Sequence, residues 1–119
     1  MNSIKQSMDD LMTIDGAMCA ALVDSGSGMI LGQVGTGVDL EVAAAGNTEV
    51  VRAKMRTMKS LNLNDVIEDI LITLGRQYHI IRPLAKHDGL FIYLVLDKNK
   101  SNLALARRRT QDIEQSLKV

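Results

Sequence analysis

The sequence predicts one α/β (α+β) domain over residues 1–119, with its elements in the order α-β-β-α-β-β-β-α. Three observations carry this expectation. Apolar residues recur at helical spacing near the start, in the middle and at the end of the chain. Between those stretches lie five short apolar runs, separated by Gly, Asn, Asp and Ser. Hydrophobic residues make up 46% of 119 residues, enough for one core that needs neither disulfide nor metal.

Each element has its own reason. Over residues 3–14, Ile4, Met8, Leu11 and Met12 share a helix face; Ser3 and Gln6 match a capping box, and Gly16 offers a left-handed stop. Residues 17–24 are apolar almost throughout, as a strand covered on both faces would be. Ser25-Gly26-Ser27-Gly28 turns the chain into a second strand, Met29 to Val34. Asp39 is a suitable N-cap for a long helix reaching Leu61, with Glu41 adding negative charge to its first turn. Leu40, Ala43, Ala44, Asn47, Val50, Val51, Lys54, Met55, Met58 and Leu61 fall on a face of that helix about 140° wide. A stripe that wide, with Asn47 and Lys54 in its middle, has room to face a second surface besides a sheet.

Residues 66–74 read as a third strand. Tyr78 to Leu84 read as a fourth, with Pro83 at an end or an unpaired site because proline cannot donate to a ladder. Leu90 to Leu96 is the most apolar run and belongs mid-sheet. A final helix carries Leu103, Ala106, Thr110, Ile113 and Leu117 on its inner side. The seven methionines are assigned mainly to the core, where most large apolar side chains go. No repeat, low-complexity tract or second domain is evident.

Composition excludes several functions. Lys plus Arg and Asp plus Glu are 14 each, so net charge gives no reason to expect a nucleic-acid partner. The longest apolar runs, residues 17–23 and 90–96, are far short of the ~20 residues that span a bilayer. No secretory signal opens the chain, and a cytoplasmic location is expected. One cysteine, Cys19, permits no internal disulfide and no cysteine-rich metal cluster.

The element order and several segments resemble the roadblock / dynein light-chain domain family. Leu22-Val23-Asp24-Ser25-Gly26-Ser27-Gly28 is similar to that family's first hairpin, and Ile70-Leu71-Ile72 to its third strand. Leu90 to Asp97 followed by Asn102 to Arg107 is similar to its last strand and final helix. The resemblance covers nearly the whole chain. It implies a profilin-like sandwich with a five-stranded antiparallel sheet ordered 2-1-5-4-3. It also implies a scaffold or regulator, homodimeric through the third strand and the middle helix, beside Ras-like small GTPases such as those of bacterial motility and polarity.

Under that resemblance Val50, Ala53, Thr57 and Leu61, with Ile70 and Ile72, would form the dimer interface. The run Ile70 to Leu74 has high β propensity, no charge and no proline, and as an open edge it would aggregate unless paired. Arg52, Arg56 and Lys59 lie within about 60° on the outer side of the middle helix and are the candidates for partner binding.

No catalytic, cofactor or metal site is expected. The five glycines from Gly26 to Gly37 match no phosphate-loop or dinucleotide pattern, and hairpin turns explain them. Cys19 sits in an apolar strand, where a thiol stays protonated, and neither His79 nor His87 has an evident carboxylate partner. Glu68 and Asp69 point to opposite faces if that segment is a strand. Arg107, Arg108 and Arg109 spread around the last helix as a solvated face, with Arg108 able to pair with Asp112. The alternative function is a small-molecule-binding sensor domain, which would need a pocket with convergent polar groups. An enzyme ranks third.

Overall fold

The computed structural model describes residues 1–119. Its elements are α1 (Ile4–Leu11), β1 (Ala17–Asp24), β2 (Met29–Gly35), α2 (Leu40–Ser60), β3 (Ile70–Thr73), β4 (Gln77–Pro83), β5 (Leu90–Asp97), a single 3-10 turn (Lys98–Lys100) and α3 (Leu103–Ser116). The strands form one antiparallel sheet in the order β2-β1-β5-β4-β3. No helix is long and apolar enough to cross a membrane.

The central strand explains its own composition. Phe91, Tyr93 and Val95 of β5 join Cys19, Ala21 and Val23 of β1 under α2. Ile92, Leu94 and Leu96 point the other way, to α1 and α3, with Ala20 and Leu22. Both faces are covered, so no alternation of polar and apolar residues survives in either strand. Each such large side chain is worth roughly 1.5–3 kcal/mol when buried. The chain ends meet beside α3, where the Asn2 amide donates to Ser116 O at 2.7 Å and the Lys118 amide to Asn2 O at 2.7 Å.

Local signals hold where they satisfy helix ends. Ser3 and Gln6 exchange bonds at the N-terminus of α1, at 3.2 and 3.0 Å, as a complete capping box. Asp39 Oδ1 accepts from the Val42 amide at 3.2 Å and starts α2.

Three expectations need correction. Helix α1 stops at Leu11 with Met12 as its right-handed cap. Gly16, at φ +84°, instead leads into β1, and its carbonyl accepts from the Asp97 amide at 2.7 Å. The third strand is only Ile70–Thr73, not residues 66–74. The reason is Pro83. Ile70 pairs with Ile81, so continuing that register sets Glu68 opposite Pro83. The Leu84 amide already goes to Leu90 O on the β5 side, so alternation turns position 83 toward β3, where proline has no N–H to give. The methionines are mostly not core: only Met8 is buried, and Met1, Met29 and Met55 are exposed.

Candidate interaction surface

Helix α2 presents three different sides. Its sheet side is Leu40, Ala44, Thr48 and Val51, all buried. About 100° around from Val51 lies the flank Val50, Ala53, Thr57 and Leu61, all exposed. The Thr57 hydroxyl donates back to Ala53 O at 3.0 Å, so this flank holds apolar surface and a satisfied polar group. Leu61 is 61% exposed there. The wide stripe read from sequence is thus split: one half packs on the sheet, and the half with Val50, Lys54 and Leu61 has no cover within the chain.

The outer side carries Arg52, Arg56 and Lys59, all exposed. Arg52 is not free. Its Nη2 donates to Gly26 O at 2.8 Å, and its Nη1 lies 3.5 Å from Glu49 Oε1. It clips α2 to the β1–β2 turn. Arg56 and Lys59 have no ion-pair partner, so the unengaged cationic ridge is those two.

Strand β3 is an edge. Ile70 and Ile72 are half-buried on the α2 face of the sheet. The Leu74 amide donates to Gln77 O at 2.8 Å, so the even positions bond to β4 and the N–H and C=O of Leu71 and Thr73 point outward. Residues 62–69, between α2 and β3, form a strap without regular structure. Over 64–69 the only backbone hydrogen bond is from the Val66 amide to the Asp65 side chain, at 2.8 Å. The far end of the strap is fastened by Arg107, whose Nε and Nη2 donate to the two Asp69 carboxylate oxygens at 2.8 and 2.9 Å. These bonds, with the charges of Asp69 and Glu68, raise the Arg107 pKa further. Arg107 stays exposed on the last helix, as expected, but is held by Asp69, and Arg108 sits 3.9 Å from Asp112.

Under the strap is a cleft of about 780 Å³. It exists because α2 outruns the sheet: past Val51 its inner stripe continues as Met55 and Met58, which face the cleft instead of a strand. Leu63 and Val66 of the strap and Leu84 and Phe91 of the sheet complete its apolar lining. At its floor Arg82 Nε donates to Glu114 Oε1 at 2.5 Å, and the Ala85 amide donates to Glu114 Oε2 at 2.9 Å. These side chains are only 13% and 5% exposed. Sequence reading missed Glu114. It sits one residue after the apolar position Ile113, and its partners are 32 and 29 residues away.

No protein-family model and no curated protein matches the chain. Solved structures do. The Roadblock/LC7 domain from Streptomyces avermitilis superposes at a TM-score of 0.82, with 11% identity over 97% of this chain and 94% of that one. The chain has the roadblock fold. Two MglB structures agree: one in a tetrameric arrangement (TM-score 0.80, 15% identity, 93% of this chain and 82% of that one), and one from Myxococcus xanthus (0.75, 16%, 93% and 85%). At such identities the likeness is one of fold, and the roadblock sheet order implied by the sequence resemblance is the order observed.

On this roadblock fold the candidate chemical groups are packed beneath α2. Cys19 is buried, and burial pushes its thiol pKa up. His79 lies between Gln77 Oε1, 2.8 Å from its Nε2, and the Tyr93 hydroxyl, 3.0 Å from its Nδ1. Burial lowers the His79 pKa. It also pushes the Tyr93 hydroxyl up to about 12, with Cys19 adding to the rise and a bond to Asn47 opposing it. Each shift favours the neutral form, which suits a packing role better than acid–base or nucleophilic work. His87 lies away from this group, in the β4–β5 turn.

Proposed function

We propose that this chain is a non-catalytic, cytoplasmic interaction module that acts as a homodimer and serves as scaffold or regulator of a Ras-like small GTPase. The observation that supports it best is the pairing of two unpartnered features on the α2 side of the sheet. One is the exposed flank Val50, Ala53, Thr57 and Leu61; the other is the uncharged β3 edge with Ile70 and Ile72. A second copy would cover both by an isologous contact, with β3 antiparallel to its twin and the outward backbone groups of Leu71 and Thr73 paired. The MglB tetramer shows that a protein of this fold assembles with itself. Arg56 and Lys59, with Arg52 behind them, are the groups we assign to GTPase docking, where several charges on one surface speed and orient association.

Calorimetry against Ras-like GTPases of the source organism, loaded with GDP or a GTP analogue, tests this reading. One GTPase should bind, and Arg56→Glu with Lys59→Glu should weaken it at least tenfold, about 1.4 kcal/mol. Binding by none of them, or unchanged affinity of the double variant, contradicts it. GTP, GDP and ATP alone should give no heat. The sensor reading has one observation in its favour, the cleft of about 780 Å³, which falls in the ~300–1,000 Å³ range of ligand sites.

A further inference from the structure

We propose that the cleft under the 62–69 strap is a second docking site, for a short extended peptide segment that carries apolar side chains interleaved with Lys or Arg. It lies on a different side of α2 from the flank assigned to the dimer and meets the Arg56 and Lys59 ridge only at Lys59, which also lines the cleft, and so goes beyond the function proposed above.

Three observations choose the occupant. The first is apolar surface without cover. Met55 and Met58 continue the buried stripe of α2 into the cleft, and the strap adds Leu63 and Val66, the latter 79% exposed. Methionines of this kind adapt to the shape of an apolar partner. The second is charge. Arg82 is neutralised by Glu114 within the floor. Of the remaining charged lining residues, Asp65, Glu68 and Asp88 are carboxylates outside any ion pair, against the single amine of Lys59. Arg107 lies near Glu68, but its fork is taken by Asp69. The rim is therefore acidic and complements a cation. The third is the backbone. Between its fastened ends the strap leaves the main-chain groups of residues 64–68 unpaired, apart from the Val66 amide. Such an unpaired run beside an apolar groove offers a peptide strand main-chain affinity, while side-chain pockets supply selectivity. An anionic amphiphile would meet the acidic rim, and a compact small molecule would leave the strap backbone unused.

The test uses the full chain and three labelled, terminally blocked hexapeptides: alternating Lys-Leu, alternating Glu-Leu and alternating Lys-Ser. Fluorescence anisotropy should show saturable binding of the Lys-Leu peptide, and binding of the other two at least tenfold weaker. Amide chemical-shift changes should concentrate at residues 55–68 and 82–91. Asp65→Lys with Glu68→Lys, both exposed positions, should lower Lys-Leu affinity at least tenfold while leaving the sedimentation coefficient of the free protein unchanged. The proposal is overturned if Glu-Leu binds as well as Lys-Leu, if the shifts map elsewhere, or if no peptide binds up to millimolar concentration. It is likewise overturned if dilution of the protein alone produces the same shift changes, because the occupant is then a second copy. Failure of the GTPase experiment leaves every one of these readouts intact.

Discussion

Glu114→Ala is the substitution whose effect the structure predicts most sharply. It removes the acceptor of two hydrogen bonds, from Arg82 Nε at 2.5 Å and from the Ala85 amide at 2.9 Å. It also strands a guanidinium whose side chain is only 13% exposed. Breaking one partner out of a buried pair costs about 3–5 kcal/mol. The lower end applies here, because Arg82 lines an open cleft and water can reach it once the carboxylate is gone. A loss of about 3 kcal/mol is a large part of the ~5–15 kcal/mol that holds a domain together. For a chain of this length it corresponds to a fall in Tm of roughly 10–15 °C. Glu114→Gln keeps one acceptor oxygen, enough for the Ala85 amide, but loses the charge and the second acceptor that Arg82 uses, so it should fall between wild type and alanine. Urea denaturation followed by circular dichroism, at one fixed protein concentration, gives both values. If Glu114→Ala loses less than about 1 kcal/mol, comparable to an exposed pair, the pair does not fasten α3 to the end of β4 and the reasoning fails.

Two further predictions follow from single positions. Gly35 has φ +78°, and a Cβ there would strike the Met18 carbonyl and crowd the Cys19 Cα; Gly35→Ala should lose about 2–4 kcal/mol from left-handed strain plus overpacking, and a loss under about 1 kcal/mol in the same urea assay would show that the β2 exit can relax. His79 has a lowered pKa in the fold, so below its unfolded pKa of about 6.5 the unfolded chain takes up a proton that the folded chain resists. Stability should therefore fall as pH drops below about 6.5, and His79→Gln should lose stability less steeply between pH 7.5 and 5.5; equal slopes for the two proteins would refute it.

The parts of the fold legible in sequence are those fixed by local or compositional signals. The unbroken apolar runs of β1 and β5 announced strands covered on both faces, and Ser3, Gln6 and Asp39 marked helix starts because capping is decided within one turn. Residues 66–69 misled because their composition suits a strand, whereas pairing depends on a neighbour fourteen or more residues away in which Pro83 lacks the needed N–H. Position on the α2 helical wheel places Val50 and Leu61 on a different side from Arg56 and Lys59, since that separation is pure geometry. Which of those side chains stay free was not legible: the hold of Arg52 on Gly26 O spans 26 residues, and the bond from Arg82 to Glu114 and the fork from Arg107 to Asp69 span 32 and 38. Long-range partners of charged residues leave no periodic trace in one sequence. The cleft was equally hidden, because it follows from α2 being longer than the sheet beneath it.

The central claim is that a second copy covers the α2 flank and the β3 edge. Sedimentation equilibrium at tens of micromolar tests it most directly. The account predicts a species of twice the 13.0 kDa chain mass, reduced toward a single chain by Leu61→Asp with Ile72→Asp, which place charge on the flank and beside the edge. A wild-type protein that sediments as one 13.0 kDa chain at that concentration would contradict it.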